Sequence, residues 1–272
     1  MDTNKYKKAI VNIRLHLKNY IINNNIKSLV LGVSGGIDSA LTAALAHKVI
    51  LELKIPFIIR SITIESNKQD EINRSLLVGK AFATDFKYVD LTQAFNLLKP
   101  FIIENINKED PNDTNFKIRM GNVKARLRMI YLYDLAAKNK GIVLSTDNYT
   151  ELLLGFWTLH GDVGDLGMIQ NLWKTEIYEM AIYIAEHEAS PEQKDALWQC
   201  IKATPTDGLG ITNSDLEQLG AKSYEEVDMI LKSYLKGDKS LINHSVIQRH
   251  KKTHFKRNNP YNFPREIIFG NN

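Results

Sequence analysis

Apolar residues recur at helical spacing between Lys5 and Ile22, at Ile10, Ile13, Leu15, Leu17, Ile21 and Ile22. A short uninterrupted apolar run follows, Ser28 to Val33 (SLVLGV), which ends at a glycine and predicts a buried strand. The pattern returns to helical over Ile37 to Leu51, to β-rich over Phe57 to Ile64, and to helical again over Asp70 to Ala83. Tyr88 to Leu91 predicts a short strand. Phe116 to Lys138 predicts a long helix closed by Gly141, and Gly141 to Ser145 (GIVLS) another buried strand. Glu176 to His187 predicts a helix that stops before Pro191. Strands alternating with helices imply an α/β fold with a doubly wound parallel sheet. Ligands in such sheets sit beyond the C-terminal strand ends, so the loops after Val33, Ile59 and Ser145 are the places to look.

No internal repeat or low-complexity linker divides the 272 residues, and one domain over 1–272 is expected. Lys and Arg number 35 against 31 Asp and Glu, a formal charge of +4 that does not by itself point to a nucleic-acid partner. A single cysteine, Cys200, excludes an intramolecular disulfide framework and a cysteine-built zinc site. Its setting, DALWQCIKA, reads as a buried small hydrophobe. The first twenty residues are charged throughout and lack the apolar core of a signal peptide, and no apolar run is long enough to span a bilayer. A cytoplasmic protein with no membrane partner is the expectation.

The chemistry concentrates in LGVSGGIDSA, Leu31 to Ala40. A strand runs into Ser34-Gly35-Gly36 and a helix begins near Ile37. Glycines let the backbone approach an anion, and the first N–H groups of the helix point at the same place. Ser34 and Ser39 add hydroxyl donors. Asp38 sets a carboxylate beside the bound phosphates, an arrangement that calls for Mg²⁺ bridging phosphate and carboxylate oxygens. The pattern is neither a Walker A loop nor a GxGxxG turn. It resembles the pyrophosphatase loop of the N-type ATP pyrophosphatases, which cleave ATP to AMP and pyrophosphate while adenylating a substrate.

Further motifs follow in order: GNVKARLRM (Gly121 to Met129), STDNYTE (Ser145 to Glu151), GFWTLHGDVGD (Gly155 to Asp165), Lys174 in NLWKTE, Pro205-Thr206, and Phe255-Lys256-Arg257 before Pro260. Each taken singly has a plain structural reading: a solvated basic helix face, or a helix cap at Thr146 or Asp147. Together and in this order they resemble ammonia-dependent NAD synthetase over nearly the whole chain.

The resemblance implies ATP as substrate, Mg²⁺, and a nicotinate nucleotide such as deamido-NAD amidated by ammonia. It assigns ATP contacts to Gly32, Val33, Ser34, Gly35, Gly36, Ile37, Asp38 and Ser39, with Thr146, Lys174 and Thr206, and more weakly Arg60. Asp38 and Glu151 would hold the metal, Asp38 and Lys174 would carry catalysis, and Arg126, Asp165 and Lys256 would contact the acceptor. A homodimer is implied too, and the motifs leave no room within the chain for a glutaminase domain, so free ammonia would be the donor. Ser145 stands where the family pattern has Gly, GDVGD is one residue shorter than the family loop, Leu159 replaces a lysine and Phe255 a histidine. These departures fall on the acceptor side and leave dinucleotide and mononucleotide acceptors both open. Two other readings compete: a tRNA-modifying enzyme of the same superfamily, and a nucleotide-binding module without catalysis. The run Arg249 to Arg257 (RHKKTHFKR) lacks an aromatic platform for nucleic acid and suits closure over a diphosphate.

Overall fold

The computed structural model describes residues 3–65, 68–104, 106–204, 216 and 219–270. Five parallel strands form the sheet in the order β3-β2-β1-β4-β5: β1 (Leu29–Gly32), β2 (Phe57–Thr63), β3 (Asp85–Asp90), β4 (Ile142–Ser145) and β5 (Leu166–Gly167). Leu29 pairs with Phe57 on one side and with Ile142 on the other, so β1 lies at the centre. The chain winds outward from β1 to β3 and returns to β4 on the far side of β1. That reversal opens a crevice at the C-terminal ends of β1 and β4.

Alternate residues of each strand feed two cores. Leu29 and Leu31 of β1, with Phe57 and Ile59 of β2, pack against α1 (Thr3–Asn23), α2 (Ile37–Leu53) and α3 (Gln69–Phe82). The same core takes in α7 (Lys174–His187) and α8 (Pro191–Ile201). Val30, Ile58 and Val143 face the other way, toward Phe95 of α4 (Thr92–Ile102) and Met120, Leu132 and Ala136 of α5 (Thr114–Lys138). A third cluster joins Leu153 and Leu154 of α6 (Tyr149–Leu154) to Val227, Ile230 and Leu231 of α9 (Tyr224–Leu235) and Val246 and Ile247 of α10 (Ser245–Lys252). Two short helices, α11 (His254–Arg257) and α12 (Arg265–Phe269), complete the described chain.

Every helix and strand expected from periodicity is present, with ends shifted by up to three residues. Several elements go beyond that expectation, the short α11 and α12 among them. The helix α4 carries Pro100 in its last turn, β5 is two residues long, and α9 and α10 were hidden in charged sequence. Among the described residues no helix is long and apolar enough to cross a membrane.

Candidate active site

The loop from Gly32 to Ser39 leaves β1 and enters α2 at the crevice. Gly36 is the N-cap of α2 and gives no side-chain cap, so the first N–H groups of a 17-residue helix stay open to an anion. Gly35 has φ +84°, and a Cβ there would lie 2.3 Å from the Glu71 carbonyl oxygen. Only glycine fits. The Arg74 Nε donates to the Gly35 carbonyl at 2.9 Å, and Ser39 Oγ donates to the Gly36 carbonyl at 3.0 Å. The loop is therefore held open from outside and from within.

Lys174 is the first residue of α7 and is 4% exposed. A cation at a helix N-terminus opposes the dipole and needs nearby negative charge to sit there. Its Nζ donates to Asp38 Oδ2 at 2.5 Å and to Glu151 Oε1 at 3.0 Å. These three residues come from α2, α6 and α7. Asn148, the N-cap of α6, donates through Nδ2 to Asp38 Oδ1 at 2.8 Å while accepting from the Glu151 N–H at 3.0 Å. The cap of α6 is thus Asn148 and not Thr146 or Asp147, and this one residue touches the carboxylates of both Asp38 and Glu151. Ser145, where the resemblance expects glycine, donates to Asp147 Oδ2 at 2.7 Å.

Burial dominates the electrostatics of the Glu151 and Asp147 carboxyls. Burial first, then Asp38, pushes the Glu151 carboxyl up. Burial likewise raises Asp147 to about 7. Burial alone would lower the Lys174 ammonium, but Asp38 and Glu151 hold it well above its ordinary value. All three groups hold their protons more tightly, the two carboxyls chiefly because burial penalises their charged forms and Lys174 because two carboxylates face it. Among the described residues no three His, Cys, Asp or Glu side chains form a metal cage. Two carboxylates with room for phosphate oxygens suit Mg²⁺, which binds through one or two carboxylates and its substrate. The donor set at Asp38 and Glu151 therefore fits that ion.

A cavity of about 380 Å³ opens over these groups. Gly32 through Ser39 line it, with Arg60, Thr146, Glu151 and Lys174, so the structure gathers every ATP-side residue expected from sequence except Thr206, which lies outside the described residues. Arg60 is buried and forks onto Asp85, with Nη2 to Oδ2 at 3.0 Å, while its Nε has no partner. Arg128, Arg74, Asp162, Tyr178 and Cys200 also line the cavity. The sequence assigns none of these five to the site, and Cys200, expected as a buried small hydrophobe, is 1% exposed. The two arginines of ARLRM lie on different faces of α5, and Arg128 is the one that reaches inward. Arg128 is half-buried, and desolvation lowers its guanidinium against the opposing pull of Asp162 and Glu71.

The acceptor-side residues are arranged differently. None of Arg126, Asp165 and Lys256 lines the cavity. Arg126 is exposed and donates to the Leu159 carbonyl at 3.0 Å. Asp165 joins strands: its Oδ2 accepts from the Val143 N–H at 2.9 Å and its Oδ1 from the Tyr133 hydroxyl at 3.1 Å. Lys256 donates to the carbonyls of Gly155, at 2.7 Å, and Trp157. Asp162, three residues before Asp165, is the carboxyl of this loop that faces the cavity. Its carboxyl is raised to about 6 by burial.

The basic run has a structural role here. Arg249 Nε donates to the Leu154 carbonyl at 3.0 Å, and Arg257 Nη1 to the Leu153 carbonyl at 2.7 Å. His250 Nδ1 lies 2.9 Å from the same Leu153 carbonyl, which requires the proton on Nδ1. With Lys256, four basic side chains close the C-terminal end of α6, where cations complement the dipole. Gly155 ends that helix at φ +65°, and a Cβ there would meet Thr253 at 2.6 Å.

Comparison with known proteins agrees with this geometry. The family model for NAD synthase matches residues 9–260. The chain is 34% identical to the NH3-dependent NAD+ synthetase of Chlorobium phaeobacteroides, over 79% of this chain and 71% of that protein. It is 31% identical to the enzyme of the same name from Finegoldia magna, over 92% of this chain and 95% of that protein. Among solved structures, NMN synthetase from Francisella tularensis aligns with a TM-score of 0.76 at 24% identity, covering 96% and 98% of the two chains. That likeness concerns the fold. NH3-dependent NAD synthetase from Campylobacter jejuni aligns at 0.71 and 25% identity, covering 97% and 100%. A glycine loop opening α2, a buried lysine between two carboxylates, and a match over nearly the whole length make this chain a member of the NAD synthase family.

Proposed function

We propose that this chain is a carbon–nitrogen ligase that amidates deamido-NAD to NAD with free ammonia, using ATP and releasing AMP and pyrophosphate. The observation that carries the reading is Lys174 buried between Asp38 and Glu151 beneath the open N-terminus of α2. A carboxylate is a poor electrophile for ammonia. Attack of the nicotinate carboxylate oxygen on the ATP α-phosphorus forms an acyl-adenylate and breaks the bond to pyrophosphate. Ammonia then adds to the acyl carbon, AMP leaves, and a proton is lost from nitrogen.

Charge accumulates on the α-phosphate and on the departing pyrophosphate. The N–H groups of Ile37 and Asp38 and the Lys174 ammonium would meet that charge in a preorganised site. Asp38 and Glu151 would hold Mg²⁺, which when bound neutralises phosphate charge as a Lewis acid. No side-chain nucleophile is needed, and most of the catalysis is positioning and electrostatics. Thr146, Arg60 and Thr206 would contact ATP, and Arg126, Asp165 and Lys256 would act on the acceptor side.

Amidation of the mononucleotide is a second reading. It is favoured by Leu159, an apolar side chain at a position where the resemblance expects a lysine, which leaves one cation fewer for a second phosphate. Two copies would pair through exposed apolar side chains such as Leu97 and Phe101 of α4 and Ile130 of α5, which are 65%, 86% and 65% exposed. A cytoplasmic setting suits the free thiol of Cys200. The deciding assay is pyrophosphate release from ATP with ammonia, run in parallel against deamido-NAD and nicotinate mononucleotide. No release with either acceptor would reject both readings.

A further inference from the structure

We infer that Asp228, on α9, is a positioning residue that sets the catalytic lysine through the first turn of α7. Asp228 is 1% exposed. Its Oδ2 accepts from the Thr175 N–H at 3.0 Å and from the Thr175 hydroxyl at 2.8 Å. Its Oδ1 accepts from the Thr150 hydroxyl at 2.6 Å. The Thr150 oxygen in turn accepts from the Lys174 N–H at 2.9 Å. One carboxylate therefore holds the start of the helix that begins with Lys174 and the residue beside Glu151.

The cap of α7 shows why this is needed. The N-cap residue is Trp173, whose indole has no acceptor for the N–H groups of the first turn. Asp228 and Thr150 supply those acceptors from α9 and α6. A buried carboxylate at a helix start is favoured by the dipole, and it offsets the unfavourable placement of the Lys174 ammonium there. One turn earlier on the same face of α9, the Tyr224 ring lies 5.3 Å from Lys174 Nζ. The helix α9 thus fixes both the backbone and the head group of Lys174.

The consequence is specific. Loss of the Asp228 carboxylate should free the first turn of α7, so that Nζ no longer sits where charge develops. Supporting groups of this kind typically cost about 10–100-fold in activity when removed. The inference rests on the amide-ligase reading for its kinetic arm but not for its structural one.

The test uses the full-length protein with Asp228→Ala, Asp228→Asn, Thr150→Val and Thr150→Ser. Met229→Ala, on the exposed side of α9, is the control for general disturbance of that helix. Two readouts are taken: kcat for pyrophosphate release, and the rate at which Lys174 is acylated by an amine-directed reagent, followed by mass spectrometry. Asp228→Ala and Thr150→Val should lower kcat about tenfold or more and raise Lys174 labelling several-fold. Thr150→Ser keeps the oxygen and should restore both, as should Met229→Ala. Asp228→Asn should fall between, because its amide can accept from Thr175 and donate to Thr150.

A loss of melting temperature with unchanged kcat and labelling would make the network merely structural and overturn the inference. If Asp228→Ala does not fold, the Thr150→Val and Thr150→Ser pair decides, and equal behaviour of those two overturns it. Absence of pyrophosphate release in the wild type would sink the ligase reading, whereas the labelling comparison would still judge the clamp.

Discussion

The two sides of the crevice are built by different means. On the ATP side the backbone does most of the work: an open helix start, a glycine that no other residue can replace, and three charged side chains locked together. These parts come from β1, α2, α6 and α7, all anchored in the cores. On the proposed acceptor side, Arg126 and Lys256 hold backbone carbonyls of the segment from Gly155 to Leu159, and Asp165 accepts from the Val143 N–H of β4, all outside the cavity. The proposed ATP side draws its described residues from the phosphate loop, α6 and α7 around a single cavity. The proposed acceptor side is a scaffolded loop that turns Asp162 toward the cavity, facing Arg128 of α5.

The sharpest way to break this contrast is Asp38→Ala. It should lower pyrophosphate release by about 10³-fold or more, because Asp38 meets both Lys174 and the expected metal. The fold should survive, as Asp38 sits in the first turn of α2 and outside the hydrophobic cores. Wild-type release by a folded Asp38→Ala protein would remove the phosphate side from the mechanism.

Arg126→Ala and Lys256→Met should act on the other side and more weakly. Each loosens the 155–159 segment by removing charged hydrogen bonds to carbonyls, worth about 1.5–3 kcal/mol apiece. The acceptor KM should rise roughly tenfold, a change of about 1.4 kcal/mol in binding, while the ATP KM moves less than about twofold. Equal changes in the two constants, measured by steady-state titration of each substrate, would mean that the sides are not separable.

The same contrast governs what sequence can show. SGGIDS is legible because a backbone-built anion site demands glycine at one place and a helix start just after it. Lys174 and Glu151 are legible only through the order of motifs, since nothing local marks a lysine at a helix start as catalytic. Asn148 reaches Asp38 across 110 residues, and Asp228 reaches Thr175 across 53. Such contacts exist only once three helices converge. The basic run Arg249 to Arg257 announces charge but not its partner. Its affinity for phosphate is a fair expectation, yet the folded chain sets Arg249, His250, Lys256 and Arg257 on the carbonyls that end α6 and the loop beyond. The cavity-facing member of GDVGD also depends on the fold: β5 pairing turns Asp165 toward the sheet and leaves Asp162 inside.

Asp162 offers a pH test of that placement. Its carboxyl titrates at about 6 in the fold against an ordinary 3.8. The folded protein therefore binds this proton more tightly than the unfolded chain does. The stability it contributes is full below the unfolded value and is lost as pH rises through about 6. The full loss is on the order of 2–3 kcal/mol. Asp162→Asn keeps an acceptor for the Thr158 N–H and cannot ionise. Relative to wild type, its melting temperature should rise by several degrees between pH 4 and pH 8, at roughly 2–4 °C per kcal/mol. A variant-minus-wild-type difference that stays flat across that range would place Asp162 in solvent.

Cys200 should give the smallest effect, although it lines the cavity and is the one thiol in the chain. It is 1% exposed, and burial pushes its thiol up to about 12, against a small opposing pull from Arg74. At neutral pH almost none of it is thiolate, so it is a poor nucleophile and a poor target for alkylation. The proposed chemistry does not need it: the phosphate side would work through N–H groups and Lys174. Cys200→Ala should keep kcat and both KM values within about twofold and cost about 1 kcal/mol of stability for a small truncated side chain. The native thiol should react with iodoacetamide far more slowly than the urea-unfolded one. Rapid labelling at pH 7.5 that also blocks pyrophosphate release would show instead that the cavity opens to this wall during turnover.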